Sequence, residues 1–434
     1  MDLFFVVSSF LISFSLVKEL KRFSFWEAWK NFFIKRSLRI FPPFIALLVF
    51  TICLTGMTLK AFQSGMDLGV LTQGIESLQR RYANWWVDAF YVSNYFKDRL
   101  LIHGWSLSME EQFYILLPSF LLLYITYFRN TKSKFLFLIF FLVLANLIRL
   151  QYYFFHPRIQ EFTEYTRILF HPFHTHFDSF IWGILIMELH SLEPTLKSKY
   201  LNSKIILGSF GVLFSTYLFF YTTTLETHYL FHIVFKITLF SALAGIYTLL
   251  MVEKAIPAFN RFLSFSPFVS IGKLSYTIYL IHMLVSSVVL IRVFDHQNFE
   301  FNTISKTILA SLYALFYCVV IASFSYFFLE KPFLKLREWS LEKFDPVRNE
   351  FYSIAVHPAE LKIVAYCLTA LSLSPYLIFK YLGKAGVYSP NLFTLQVLNL
   401  LVAIPILWNL YSFWKYRKPI LQKVLENRFL VQNL

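Results

Sequence analysis

Cysteine, glycine and charge are all scarce in this chain, and each shortage excludes something. Three cysteines in 434 residues cannot make a disulfide scaffold. Cys53, Cys318 and Cys367 each sit inside an apolar run, without metal-binding spacing, and read as packed hydrophobes. Twelve glycines exclude a collagen-like repeat. Charged residues are only 15% of the chain, where a soluble domain carries about 25%. The sequence has no Walker motif, no Gly-x-Gly-x-x-Gly, no Gly-x-Ser-x-Gly and no His-Glu-x-x-His, which leaves no ATP site and no helical zinc motif. What is present is apolar: 57% hydrophobic residues, 53 of them Phe, and a mean hydropathy of +0.57. That excludes disorder and predicts an all-α, polytopic transmembrane helix bundle.

Continuous apolar runs predict eleven spans, near 3–17, 40–58, 105–128, 135–152, 171–190, 204–222, 230–251, 267–292, 304–329, 361–383 and 391–414. The net charge of +15 tests their orientation. With the N-terminus outside, the inner loops hold 24 Lys and Arg and the outer segments 8, the bias expected of positive-inside topology. Basic loops beside anionic lipid therefore account for the charge without nucleic acid. The first span is short, and Asp2 with no basic residue before it does not fit a signal peptide.

Ionisable groups at membrane depth mark candidate sites. The third span opens from outside with Trp105, Ser106, Glu110, Glu111 and Tyr114, just after His103. Glu110 shares a helical face with Ser106, and Glu111 shares one with Tyr114. The fifth span opens with His171, His174, His176 and Asp178, of which His174 and Asp178 are four apart on one face. The eighth carries Tyr276, Tyr279 and His282 toward the outer side. His174, His176, Asp178 and His282 are also a conceivable metal set, but the two rings of His-x-His on a helix point apart. An acid/base or acceptor-binding cluster fits better, the plainer alternative being interfacial anchors or hydrogen-bonded bundle glue, and no metal is expected. On the inner side, Arg36 and Arg39 share a face and suit phosphate oxygens, or serve simply as positive-inside flanks. Glu330 closes the ninth span on that side, within reach of an arginine partner or of water. A polar route with a phosphate-binding inner mouth predicts either a transferase working across the bilayer or a secondary transporter.

These blocks resemble the acyltransferase 3 family of membrane O-acyltransferases. Asp2 to Ile12 is similar to the family's VDLFFVLSGFLI, Arg36 to Pro42 to R-x-x-R-I-x-P, and Trp105 to Tyr114 to WSLSVEEQFY. Gly272 to His282 is similar to G-x-x-SYxLYLxH, and Glu330 to Phe333 to E-[KR]-P-F. His176 to Gly183 resembles R-x-D-x-L-x-x-G, with His176 in place of Arg. The resemblance implies an acyltransferase domain over 1–340; beyond it, 341–434 reads from its apolar runs as a cytoplasmic link and two added transmembrane helices. It implies an acyl-CoA donor, acetyl-CoA foremost, entering from the cytoplasm, with no permanently bound cofactor. The acceptor would be a hydroxyl of an envelope polysaccharide or lipid-linked sugar, in the inner membrane of a bacterium. Arg36 and Arg39 would bind coenzyme A. Ser106, Glu110, Glu111 and His282 would be catalytic, and Trp105, His174, His176, Asp178, Tyr276 and Tyr279 would contact substrate.

The sequence departs from the family in two places. Ser9 replaces the glycine of SGF, and the family's first helix, with Arg, ten residues and a catalytic His, has no counterpart before Met1. The expectation is a start codon placed too late. The alternative is a transporter, flippase-like or inactive scaffold protein of the same fold. His282 is then the nearest substitute for the general base.

Overall fold

The computed structural model describes residues 1–65, 74–221, 223–293 and 304–342. The expected spans 361–383 and 391–414, and Cys367, lie outside the described residues. Among the described residues every regular element is a helix. In order these are α1 (Asp2–Leu20), α2 (Phe25–Gln63), α3 (Ile75–Ala83), α4 (Trp85–Ala89), α5 (Gly104–Tyr127), α6 (Thr131–Phe155), α7 (Phe162–Tyr165), α8 (Phe173–His176), α9 (Asp178–His190), α10 (Pro194–Tyr200), α11 (Ser203–Tyr221), α12 (Lys236–Val252), α13 (Pro257–Leu263), α14 (Ser266–Val293), α15 (Ile304–Ser325) and α16 (Lys331–Glu342). Three π turns, Thr166–Phe170, Phe231–Phe235 and Tyr326–Glu330, widen the backbone before or between them. An all-helical chain is what lipid demands, since each helix satisfies its own backbone polar groups.

Seven of the described helices are long and apolar enough to cross a membrane. The expected spans in α5 and α9 are not among them. The Trp105–Tyr114 half of α5 is polar for its length, and α9 has 13 residues, roughly 20 Å of helix.

Three boundaries differ from expectation for local reasons. The basic segment before the second span is helix, not loop. Ser24 and Glu27 form a capping box that starts α2 at Phe25, and nothing breaks it before Pro42 and Pro43. Helix α2 therefore carries Arg36 and Arg39 as a rigid extension of the apolar run. The expected fifth span is broken, because the π turn and Pro172 set α8 off from α7 and Phe177 separates α8 from α9. The segment between α2 and α5 also folds inward. The Gln112 side chain donates to the Tyr91 carbonyl at 2.9 Å and exchanges bonds with Asn94, while Ser93 and Ser108 pair at 2.9 Å.

Helices α1, α5, α9 and α12 form the centre. Gly183 of α9 explains how closely α1 can approach. A Cβ added there would lie 2.5 Å from the Val6 carbonyl oxygen and 2.8 Å from the Phe10 nitrogen, so only hydrogen fits. Ser9 seals the same crossing by donating to the Phe180 carbonyl at 2.6 Å. Phe180 then stacks on Phe113 of α5 at 4.3 Å and packs against Phe5 at 4.8 Å. Helices α1, α5, α9 and α12 all begin near one end of the bundle, the Asp2 end. Glu19, Arg36 and Arg39 mark the other, the Glu19 end.

Candidate functional site

At the Glu19 end, Ile12, Ser15, Leu16, Glu19, Phe32, Lys35, Arg36, Arg39 and Arg337 enclose a cavity of about 130 Å³. Four cations face a single carboxylate, and Glu19 already holds Lys35 in an ion pair. The remaining character of the cavity is guanidinium, which binds phosphate oxygens in a fork. Arg337 of α16 joins the two arginines expected from the sequence. Glu330 accepts the Thr277 hydroxyl.

The line of polar groups continues from this cavity along α5. The Arg36 guanidinium lies 5.5 Å above the Tyr114 ring. The Tyr114 hydroxyl donates to Glu110, which also takes the Ser8 hydroxyl at 2.5 Å, and Ser8 lies 3.0 Å from Tyr114. Tyr114 thus pairs with Glu110 one turn back, not with Glu111. Glu111 points elsewhere, with one carboxylate oxygen buried and without a partner. Tyr276 ties this level to α2 by donating to the Ile40 carbonyl at 2.8 Å.

One turn nearer the Asp2 end, Ser106 is hydrogen-bonded to the Tyr279 hydroxyl. Both hydroxyls also reach the His103 carbonyl, at 3.0 and 2.9 Å. The His103 ring stands edge-on to Tyr279 at 5.4 Å and 5.3 Å from the ring of His282. His282 Nδ1 lies 2.5 Å from the Tyr279 carbonyl, which sets that nitrogen as donor. Trp105 stacks on His171 at 4.4 Å, and Arg99 contacts His171 at 3.3 Å.

Other residues proposed from sequence stand apart from this line. His174 lies between the hydroxyls of Tyr95 and Tyr152, at 3.3 and 2.9 Å. His176 is buried against Asp2, with 2.7 Å between Nε2 and Oδ1, and Asp2 also receives Ser179 and Ser241. Asp178 pairs with Arg149 at 2.8 Å, both side chains fully buried. The expected shared face of His174 and Asp178 is lost at the break between α8 and α9. Among the described residues no group of three or more His, Cys, Asp or Glu could hold a metal. Ser8, Arg149, Arg99 and Arg337 were missed by sequence reasoning. Arg149 had a readable signal, an arginine in the middle of an apolar run.

The acyltransferase domain family model matches residues 1–327, and the chain belongs to that family. With its apolar helices this makes it an integral membrane protein. The chain is 28% identical over 223 residues to an uncharacterized protein of Haemophilus influenzae, covering 50% of this chain and 85% of that one. It is 29% identical over 351 residues to a Staphylococcus aureus (strain COL) protein provisionally named an O-acetyltransferase, covering 77% and 52%. It is 26% identical over 293 residues to the O-acetyltransferase OatA of Staphylococcus aureus (strain NCTC 8325), covering 65% and 44%. The chain thus spans about half the length of these O-acetyltransferase relatives. No solved structure matches it.

Proposed function

We propose that this protein moves an acyl group, acetyl foremost, from cytoplasmic acyl-CoA to a hydroxyl of an envelope polysaccharide or lipid-linked sugar. The observation that carries the proposal is the polar line on α5, from Arg36 through Tyr114, Glu110 and Ser8 to Ser106, Tyr279 and the two histidines. Ser106 and Tyr114 are eight residues apart, roughly 12 Å of helix, and span the gap between a phosphate-binding cavity and a hydroxyl-rich end. Arg36 and Arg39 hold the coenzyme A phosphates, and the pantetheine arm follows α5. Glu110 and Glu111 set the charge beside the arm, and Trp105, Tyr276 and Tyr279 line the transfer point. The lysine and arginine bias of the loops supports the reading in which the Glu19 end faces the cytoplasm and the Asp2 end the outside; the membrane in this reading is a bacterial inner membrane.

The test is alkali-labile acetate on envelope glycans of cells expressing the full chain. Wild type should raise it. Replacing Arg36 and Arg39 together by Gln should raise KM for acetyl-CoA at least tenfold, because each charged hydrogen bond contributes about 1.5–3 kcal/mol. Glu110→Gln should lower kcat instead. A wild-type chain without transfer, or full activity in all three substitutions, would sink the proposal.

A further inference from the structure

A second cavity, larger than the arginine-lined one, includes no residue of the polar line on α5. It has a volume of about 430 Å³ and lies near the Asp2 end, between α7, two of the π turns, α11 and α12. Tyr165, Phe170, Phe220, Phe231 and Phe240 make its walls largely aromatic. Phe162, also on its wall, is 65% exposed, so the cavity opens to the protein surface at α7. Apolar walls with a few placed polar groups, at this volume, are the ordinary features of a small-ligand site.

One cation faces the cavity. Lys236 opens α12, and its ammonium lies 5.5 Å from the centre of the Tyr165 ring. Its neighbours fix its depth. The Val234 carbonyl and the Thr238 hydroxyl both bond to the buried Arg149, which lies six residues before the end of α6, roughly 9 Å along the helix. Lys236 therefore sits within the apolar span Phe231–Val252. The carboxylates at this level are already engaged. Asp178 pairs with Arg149, while Asp2, on the cavity wall, is bonded to His176, Ser179 and Ser241. No ion pair among the described residues includes Lys236. A cation at membrane depth is unfavourable until an anion or water completes it. A lysine that merely snorkels to the surface needs no aromatic cavity beside it.

We infer that this cavity binds an anionic amphiphile, with the apolar chain against the Phe220 and Phe231 rings and the phosphate of the head on Lys236. Phe220 and Phe231 stack at 3.5 Å and give the chain a flat wall. Phe170 is a wall shared with the polar line, because it also packs on Trp105 at 5.3 Å. A membrane offers two sources of this chemistry, a bilayer phospholipid and a polyprenyl phosphate.

The experiment titrates the purified full chain in detergent by native mass spectrometry. The probes are undecaprenyl phosphate and phosphatidylglycerol, with undecaprenol and dioleoylglycerol as their uncharged counterparts. At least one anionic probe should bind about tenfold or more tighter than its counterpart. Lys236→Met should remove that preference and Lys236→Arg should keep it. Leu239→Trp, which fills the cavity and leaves the charge in place, should weaken charged and uncharged probes alike by about tenfold. A preference for undecaprenyl phosphate identifies the source as a polyprenyl carrier, and one for phosphatidylglycerol as a bilayer lipid; either supports the site. Equal binding of charged and uncharged probes by wild type overturns it, and that comparison needs no variant to fold. So does a charge preference that survives Lys236→Met, or binding that Leu239→Trp leaves unchanged. The proposed acyl transfer uses neither Lys236 nor this cavity, so it stands or falls separately.

Discussion

The Arg149–Asp178 pair separates two roles that an intramembrane carboxylate can have. Arg149 uses all three of its nitrogens inside the protein. Nε donates to the Val234 carbonyl at 2.9 Å, one terminal nitrogen to the Thr175 carbonyl at 2.7 Å, and the other to Asp178 at 2.8 Å and to Thr238. Thr238 in turn donates to Asp178 at 2.8 Å. Five segments, α6, α8, α9, α12 and the π turn leading into it, meet on one guanidinium. Arg149→Met leaves Asp178 charged and buried with only Thr238, which should cost roughly 3–5 kcal/mol. Removing both charges in Arg149→Met/Asp178→Leu removes the uncompensated ion, so the double variant should be more stable than Arg149→Met. Thermal unfolding of the four proteins in one detergent, read by intrinsic fluorescence, gives the coupling energy, expected to be about 2 kcal/mol. Asp178→Asn should lower the unfolding temperature and leave the acceptor KM unchanged. Additive effects within about 0.5 kcal/mol would refute a structural pair. So would an Asp178→Asn variant of unchanged stability and raised acceptor KM, which would make Asp178 a substrate ligand.

Gly183→Ala places a methyl group 2.5 Å from the Val6 carbonyl oxygen, and backbone cannot move aside cheaply. The expected loss is about 1–3 kcal/mol, measured as a lower unfolding temperature. Adding Ser9→Gly should recover only part, since the Ser9 Cβ is one of three clashing atoms. Asp88, in the inward-folded segment, should make local stability depend on pH. Its carboxylate accepts the amides of Leu100 and Leu101 at 2.9 and 3.0 Å, yet burial pushes it up to about 6 from 3.8. Because the folded value is the raised one, its stabilising contribution is full below about 3.8 and is lost as pH rises through 6. The change amounts to about 3 kcal/mol. Hydrogen exchange at Leu100 and Leu101, corrected for intrinsic rates, should show less protection at pH 7 than at pH 4.5, and Asp88→Asn should flatten the difference.

Long apolar runs made the helical bundle readable, because a lipid-facing helix writes its length into composition. The failures have local causes. A capping box 15 residues before Arg39 extended α2 through a basic stretch that charge alone marks as loop. Pro172 and a π turn delayed the start of the fifth span, and the break at Phe177 parted His174 from Asp178. On α5 the residue types were legible but their pairing was not. Tyr114 is three residues from Glu111 and four from Glu110, and helical spacing permits either, so the neighbouring Ser8 decided for Glu110. Arg149 was overlooked because its partner lies 29 positions away and reaches it only through the fold.

The position of an ionisable group at membrane depth is therefore less informative than whether the protein completes it. Asp2 with His176 and Glu188 with Tyr124 and Lys134 are closed by protein partners, while Asp178, paired with Arg149, keeps one buried oxygen without a partner. Closed pairs hold α1, α5, α6, α9 and α12 in register, and a substrate could engage them only by breaking a bond already made. One oxygen of Glu111 is open on the segment that α5 presents between the arginine cavity and the His282 ring, and Glu19, Asp88 and Asp178 each keep one open oxygen elsewhere. An open carboxylate oxygen between the arginine cavity and the His282 ring is where a passing substrate can supply the missing partner, and it orders the substitutions to make: Glu111 before His176.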